Sequence, residues 1–509
     1  MVLSLKYGNS YYLENGEKLV VYSNESLSKY IGCDIVNGYS RYLSLSDKIY
    51  IYFKDGDIYF SKKIKSFIDI NLPHERILLN DDALAAYLGA GFIAPPFTLF
   101  ENIYIIPSYS LISINDSLLT IKNYYPDDYD SLKYTGFADI KDFESFLQEI
   151  IIEELGVIDE KINIICTLSG GADSSLILKI LSNIVPKDKI TSITCVMTGL
   201  ESEAKKAEDI SRLLRITNRQ YKYTKNDSGK ILTEFISKYN TPVYDPICPI
   251  YTSMIESLND DIDFSEKTNI IVEGQCADSV LLGLPHNFLL QLYNPQFSIL
   301  SRSINSLVPV VKNKNRFYKR LIYRFKKIVS SLGQSTWIDC LLKSLDLNVL
   351  SMSPYIKHLR KQLSEYYQHY GSIHKAIAHF FMFRIIQVRE MQKYAVLPHN
   401  YKVVIPFADT RFVCRAFKTK ESFFIERGKR KKPIFDLVEK YFPNFYSKQK
   451  TTPFYVEYKV SNRQIELNKK LKEDHDETVK SLKDYDVDRE LKIQSLNLLY
   501  SLILKNRKV

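Results

Sequence analysis

Residues 161–175 constrain the fold of this 509-residue chain more than any other stretch. The apolar run Lys161-Ile-Asn-Ile-Ile-Cys-Thr-Leu168 reads as a buried strand, and Ser169-Gly-Gly-Ala-Asp173-Ser-Ser175 follows it directly. Leu176, Ile177, Ile180, Leu181 and Ile184 then recur at the spacing of one helix face. Strand, Gly-rich turn and helix predict an anion site, because first-turn N–H groups lack intrahelical partners and carry the positive end of the dipole. Gly170 and Gly171 let the backbone approach a polyphosphate, and Ser169, Ser174 and Ser175 can donate to its oxygens. Asp173 is the telling residue, since a carboxylate beside a phosphate is repulsive unless a cation such as Mg²⁺ lies between them. The stretch therefore reads as a nucleotide pyrophosphate site with a metal. A plain strand-to-helix turn would need only Ser174 and Ser175 at the helix start. It is not a Walker loop, because its glycines are adjacent and no Gly-Lys-Ser/Thr follows.

Ser169–Ser175 resembles the pyrophosphate loop of the asparagine synthetase family, usually Ser-Gly-Gly-Xaa-Asp-Ser-Ser. Other segments match that family in order. Asp57-Ile-Tyr-Phe-Ser-Lys-Lys, Asp82-Ala-Leu-Ala-Ala-Tyr-Leu-Gly, Pro95-Pro-Phe-Thr-Leu-Phe and Ile106-Pro-Ser-Tyr-Ser-Leu-Ile are similar to the second half of its glutamine-hydrolysing domain. Gly274-Gln-Cys-Ala-Asp278-Ser-Val-Leu-Leu-Gly283 resembles its second ATP loop, usually Gly-Glu-Gly-Ser-Asp-Glu-Val-Phe-Gly-Gly. Val404-Ile-Pro-Phe-Ala-Asp409 and Lys448-Gln-Lys450 follow, so the resemblance spans most of residues 50–460.

The resemblance implies an α/β chain in three parts. Residues 1–125 would form a degenerate Ntn-type antiparallel β-sandwich, residues 126–140 a linker, and residues 141–509 the synthetase domain. That domain would be an adenine-nucleotide α-hydrolase-like doubly wound parallel sheet with a large helical C-terminal part.

Departures from the family pattern bear on the reaction. Glutamine-using members begin with a cysteine nucleophile whose own α-amine is the base. Residue 2 here is Val2, and the first cysteine is Cys33, so the chain is not expected to make ammonia from glutamine. In this it is similar to the β-lactam synthetase and lasso-peptide cyclase branches, which keep a degenerate N-terminal domain. Gln275 stands where asparagine synthetases carry Glu and β-lactam synthetases carry Tyr. Gln cannot take up a proton near neutral pH, so a general base must lie elsewhere or the amine must arrive unprotonated. Cys276 replaces a glycine, and Lys402-Val-Val-Ile-Pro-Phe lacks both charges of the family's Glu-Xaa-Arg-Val-Pro-Phe.

The reaction the resemblance implies displaces pyrophosphate from ATP by a carboxylate, a step of positioning and charge stabilisation. Asp173 and Asp278 would hold Mg²⁺, and Ser169, Gly170, Gly171, Asp173, Ser174 and Ser175, with Gly274 and Gln275, would hold ATP. The resemblance assigns Lys450 to the amide-forming transition state and Lys432 to a lysine preceding a helix, with Pro433 as the first helical residue. As solvated surface groups both lysines would need no such role. Leu168 and Met197, at the ends of neighbouring strands, are adenine-site candidates and equally candidates for core alone.

Composition excludes other classes. No run of 18 apolar residues occurs and the start has no signal-peptide layout, which points to a cytoplasmic protein without a membrane span. Seven cysteines without a Cys-x-x-Cys pair fit reduced thiols. A net charge of +10, from 69 basic against 59 acidic residues, is modest, and no nucleic-acid motif accompanies it, so no nucleic-acid partner is expected. Residues 141–290 alternate strand and helix, and 291–400 read as mainly helical, including Arg316–Lys327 as a charged face covering the sheet. The expected partners are a small-molecule or peptide carboxylate and amine, with peptide macrocyclisation as one setting and a biosynthetic partner protein as another expectation. Amidation with ammonia from another protein, modification of a tRNA base and a degenerate ATP-binding regulator are the alternatives. The glutaminase-like N-terminal part weighs against a tRNA enzyme, and retention of Asp173, Asp278 and Lys450 weighs against a regulator.

Overall fold

The structure, a computed structural model, describes short strands before residue 49, most of residues 49–284, and residues 328–347, 353–383, 401–426 and 429–443. Val2, Cys33, the expected helix over Arg316–Lys327, Lys448, Lys450 and the tail from Ser461 lie outside the described residues. No helix among the described residues is long and apolar enough to cross a membrane.

Nine strands of the described residues precede residue 124: β1 (Leu3–Lys6), β2 (Tyr11–Tyr12), β3 (Asp34–Val36), β4 (Tyr39–Tyr42), β5 (Tyr50–Lys54), β6 (Asp57–Ser61), β7 (Ile103–Ile105), β8 (Ser110–Asn115) and β9 (Leu118–Asn123). They make an antiparallel sheet, β1-β9-β8-β4-β3, and a mixed one, β2-β6-β5-β7. The mixed sheet departs from the expected antiparallel pattern at one point, where β2 pairs parallel with β6. Helix α1 (Asp81–Ala90) lies between β6 and β7, its start capped by Asn80, whose Oδ1 accepts from Ala83 N at 2.9 Å.

A second layered body follows. Helix α2 (Ile140–Leu155) begins at Asp139, whose carboxylate accepts from the N–H groups of Lys141 and Asp142. Then come β10 (Ile162–Thr167), α3 (Ala172–Ile184), β11 (Ile190–Met197), α4 (Glu201–Leu214), β12 (Thr217–Tyr223), α5 (Ser228–Tyr239), α6 (Ile247–Glu256) and β13 (Thr268–Val272). Helices α7 (Trp337–Ser344) and α8 (Pro354–Tyr370) precede β14 (Lys402–Val404), α9 (Thr410–Lys418) and α10 (Lys432–Tyr441).

The five later strands pair in parallel throughout, in the order β12-β11-β10-β13-β14. Side-chain alternation along β10 sorts its residues to opposite faces. Ile164 and Cys166 join the main core with Phe143, Leu147, Leu176, Ile177 and Leu437. Ile165 joins Ile193, Ile271, Tyr251, Met254 and Ile255 on the other side. Burial on both faces explains the apolar run Ile164-Ile165-Cys166 at the middle of the strand.

The strand order has a consequence for function. From β10 the chain steps to β11 and β12 on one side, then returns to place β13 on the other. The order therefore reverses between β10 and β13, and in open α/β sheets ligands bind beyond the carboxyl ends of strands at such a point. Residues 168–171 leave β10 there, and residues 273–276 leave β13.

The segment expected as a plain linker is pinned along its length. Arg415 of α9 donates to Thr135 O at 3.1 Å, pairs with Asp142, and lies 4.6 Å over the Phe137 ring. Lys418 Nζ donates to Tyr134 O at 2.7 Å, and Phe137 N donates to Thr419 Oγ1 at 2.8 Å.

Candidate functional site

The first loop turns at Gly170, whose φ of +78° lies in the left-handed region that favours glycine. A Cβ there would sit 2.5 Å from Glu203 O. Gly171 is the N-cap of α3 and offers no side chain to its first turn. No cap side chain therefore serves the first-turn N–H groups.

Of the three serines expected to donate to phosphate, Ser174 and Ser175 turn inward and Ser169 is exposed. Ser175 Oγ donates to Gly171 O at 2.7 Å and Ser174 Oγ does so at 3.2 Å, while Ser174 Oγ also accepts from Ser169 N at 3.2 Å. Ser169 Oγ accepts from Gly171 N at 3.2 Å. Ser174 and Ser175 are buried. Their hydroxyls fold the loop onto itself, so an anion would meet chiefly its backbone.

The second loop is stacked on the first. A Cβ at Gly274 would come within 2.8 Å of Asp173 C and Ser174 N, so only glycine allows the two backbones to approach. Gln275 and Cys276 follow, both half-buried. Cys276 has φ 75° and Leu282 has φ 57°, left-handed values that side chains rarely adopt. Both stand where the family's Gly-Glu-Gly-Ser-Asp-Glu-Val-Phe-Gly-Gly pattern has glycine.

Asp173 and Asp278 converge on one cation, the ammonium of Lys431. Lys431 Nζ lies 3.0 and 2.8 Å from the two carboxylate oxygens of Asp173 and 2.8 Å from Asp278 Oδ1. Side-chain exposure is 13% for Lys431, 24% for Asp173 and 58% for Asp278, so the site opens on the Asp278 side. Burial raises the Asp173 carboxyl above its ordinary range against the pull of Lys431, and Asp278 adds to the rise. Burial acts to lower the Lys431 ammonium, but Asp173 and Asp278 outweigh it and leave the group above the usual lysine value. Two carboxylates drawn to one cation from loops on different strands are a donor set that suits Mg²⁺.

Lys432 points elsewhere. Its Nζ pairs with Asp436 at 2.9 Å and with Glu426 at 3.8 Å, on the outer side of α10. The helix itself explains this. Ile434, Leu437 and Val438 are buried, which turns Lys432, Asp436 and Lys440 to the opposite face. That periodicity is present in the sequence and separates Lys431 from its neighbour. The helix starts one residue earlier than expected, at Lys432 with Pro433 second, so the lysine that precedes it is Lys431 rather than Lys432.

Leu168 and Met197 end adjacent strands and are both buried. Leu168 belongs to the main core, while Met197 packs with Tyr223, Ile231 and Ile250. Beneath the second loop lies a pair that sequence reasoning did not single out. Glu273 is fully buried and accepts from Tyr251 OH, and its N–H donates to Val404 O at 3.0 Å. Burial, then Glu273, raises the Tyr251 hydroxyl well above its ordinary value. Lys206, also buried, pairs with Glu203 at 2.9 Å beside Gly170.

Comparisons with known proteins bear on the family. The sequence model of the Asparagine synthase family matches residues 159–497, which include both loops, Asp278 and Lys431. A Methanocaldococcus jannaschii protein named for a glutamine-hydrolysing asparagine synthetase is 19% identical over 207 residues, 40% of this chain and 39% of that protein. The chain thus spans well under half the length of that relative. The U34-tRNA thiolase NcsA of Methanococcus maripaludis, solved with its 4Fe-4S cluster, is 12% identical with a TM-score of 0.22, covering 49% of this chain and 80% of the thiolase, too distant a likeness to guide the fold or the reaction. With about two thirds of its length matched by the family's model, the chain belongs to the asparagine synthase family.

Proposed function

We propose that the chain is an ATP-dependent ligase that adenylates a substrate carboxylate, releases pyrophosphate, and couples the acyl group to an amine without a glutaminase of its own. The observation that carries this reading is the convergence of Asp173 and Asp278 on a single cation, above two loops packed backbone to backbone. In the first half-reaction a carboxylate oxygen attacks the α-phosphorus, and the bond to the bridging oxygen of pyrophosphate breaks. In the second, an amine attacks the acyl carbon and AMP leaves.

The residues take the following parts. The Ser169–Ser175 loop and the start of α3 bind the pyrophosphate oxygens through backbone N–H groups. Asp173 and Asp278 would hold Mg²⁺, which when bound would supply positive charge to stabilise the pyrophosphate leaving group. Leu168 and Met197 border the adenine, and Gln275 borders the reacting carboxylate as a hydrogen-bonding group rather than a base. Lys450, assigned through the family resemblance, stabilises the amide-forming step. Residues 1–125 are a glutaminase-like companion domain, residues 126–140 a fastened connector, and residues 141–509 the synthetase domain. Peptide macrocyclisation is the setting in which an enzyme with no glutamine-derived ammonia fits best.

Isotope exchange between pyrophosphate and ATP tests this reading. With a panel of carboxylates, amines and candidate precursor peptides, one substrate class is expected to drive exchange that Asp173→Asn abolishes. Mg·ATP binding without exchange for any class would instead favour a regulatory ATP-binding protein.

A further inference from the structure

The cation between Asp173 and Asp278 is a side chain of the protein, and its placement is built rather than incidental. Lys431 leaves the backbone at φ 53°, immediately before α10, a left-handed value uncommon for a lysine. Its stem lies against Gly283, where a Cβ would come within 2.8 Å of both Cγ and Cδ of Lys431. The neighbouring Arg430 fastens the same loop, donating to Gly283 O at 2.8 Å and Leu284 O at 2.7 Å. Three ammonium-to-oxygen distances of 3.0, 2.8 and 2.8 Å hold the head group between the carboxylates. Carboxylates this close repel each other unless a positive charge separates them. A divalent cation held by the same oxygens would need the place that the ammonium takes.

We propose that Lys431 is the built-in counter-ion of this carboxylate pair. Its ammonium stands in for the divalent cation in the metal-free protein and is displaced from Asp173 and Asp278 when the metal–nucleotide complex binds. The inference rests on the Mg·ATP reading of the site and adds to it an exchange of cations. The carboxylates stay ordered and neutralised before substrate arrives, and a free divalent ion without nucleotide binds weakly because it must first expel the lysine.

The test is a titration of the full chain with Mn²⁺ alone, following the free ion by electron paramagnetic resonance. Lys431→Gln is expected to bind Mn²⁺ about tenfold more tightly than the wild type, because the competing charge is gone. Lys431→Arg, which keeps the charge, is expected to bind as weakly as the wild type. In EDTA the Gln variant should melt below the wild type, and Mn²⁺ should raise its Tm by more. Lys431→Asn, better suited to a left-handed backbone, serves if the Gln variant does not fold. Equal Mn²⁺ affinity in the wild type and the uncharged variants overturns the exchange. Mg·ATP binding to the wild type, measured in parallel, separates the two ideas. Tighter Mn²⁺ binding in the variant with no Mg·ATP binding would sink the nucleotide reading alone, and normal Mg·ATP binding with equal Mn²⁺ affinities would sink the exchange alone.

Discussion

Lys431 and Asp173, 258 positions apart in sequence, meet through two hydrogen bonds of 3.0 and 2.8 Å from one ammonium to both oxygens of one carboxylate. The contact closes the C-terminal segment over the loop that leaves β10, and Asp278 joins it from the loop that leaves β13. The first loop and the two carboxylates thereby meet at the topological switch point.

The two adjacent lysines should separate cleanly. Lys432→Ala removes a partly exposed pair with Asp436, and such pairs contribute ~0.5 kcal/mol. Thermal melts should hardly move, and Mg·ATP affinity should be unchanged by calorimetry. A large loss of nucleotide binding in Lys432→Ala would mean that the α10 face has been assigned the wrong way round.

Gly274→Ala should fail at a different level. The added Cβ meets backbone atoms of Asp173 and Ser174 at 2.8 Å, which cannot rotate away as a side chain could. The loops must part, at a cost of roughly 1–3 kcal/mol in stability. Nucleotide binding should fall with it, read by urea unfolding and calorimetry on one preparation.

Cys276→Gly is expected to stabilise. The left-handed backbone costs a non-glycine residue about 1–2 kcal/mol, against roughly 0.5–1 kcal/mol of extra chain entropy lost by glycine. The difference is about 0–1.5 kcal/mol, less the small contribution of the Cys276 side chain packed against the core. Leu282→Gly at the next such position should destabilise instead, because Leu282 is 2% exposed and its burial is worth about 2 kcal/mol or more. Urea midpoints that move the same way for both variants would contradict this.

Acid should weaken the fold through His379. This ring is buried, stacked 3.9 Å from Tyr366 and bonded to Tyr370 OH at 3.0 Å, and burial, with His369 adding, lowers it from 6.5 to about 3. The unfolded chain binds a proton below 6.5 that the folded chain refuses until about 3. The stability is therefore complete above pH 6.5 and declines as pH falls across that window, by up to ~1.4 kcal/mol per pH unit. His379→Gln should flatten that slope in denaturant melts at stepped pH.

Much of the site was legible because its parts are local. A strand, two glycines and a helix are contiguous at 162–184, and the apolar positions Leu176, Ile177, Ile180 and Leu181 are buried as their spacing predicts, with Ile184 half-buried. The loop carrying Asp278 was legible through its pattern, and the structure brings Asp278 to the same ammonium as Asp173. The choice of Lys431 over Lys432 was less so, because a run of basic residues hides which one faces inward until the apolar stripe of α10 is placed. The inward turn of Ser174 and Ser175 and the Glu273–Tyr251 pair depend on atoms brought together by tertiary packing, which no local spacing encodes. The fastening of residues 126–140 likewise depends on Arg415, almost 280 positions downstream of Thr135 and Gly136.

Lys450→Ala should split the reaction. Loss of the cation proposed for amide formation should leave pyrophosphate exchange near the wild-type rate and slow product formation by about 10²–10³. Equal losses in both assays would place Lys450 in nucleotide binding instead.

The most direct measurement is calorimetric binding of ATP to the wild type, Asp173→Asn and Asp278→Asn, each with Mg²⁺ and with EDTA. Mg²⁺-dependent binding is expected in the wild type, with its loss, by about tenfold or more, in both variants. Binding that ignores EDTA, or that survives both substitutions unchanged, would contradict a metal–nucleotide site at the junction of the two loops.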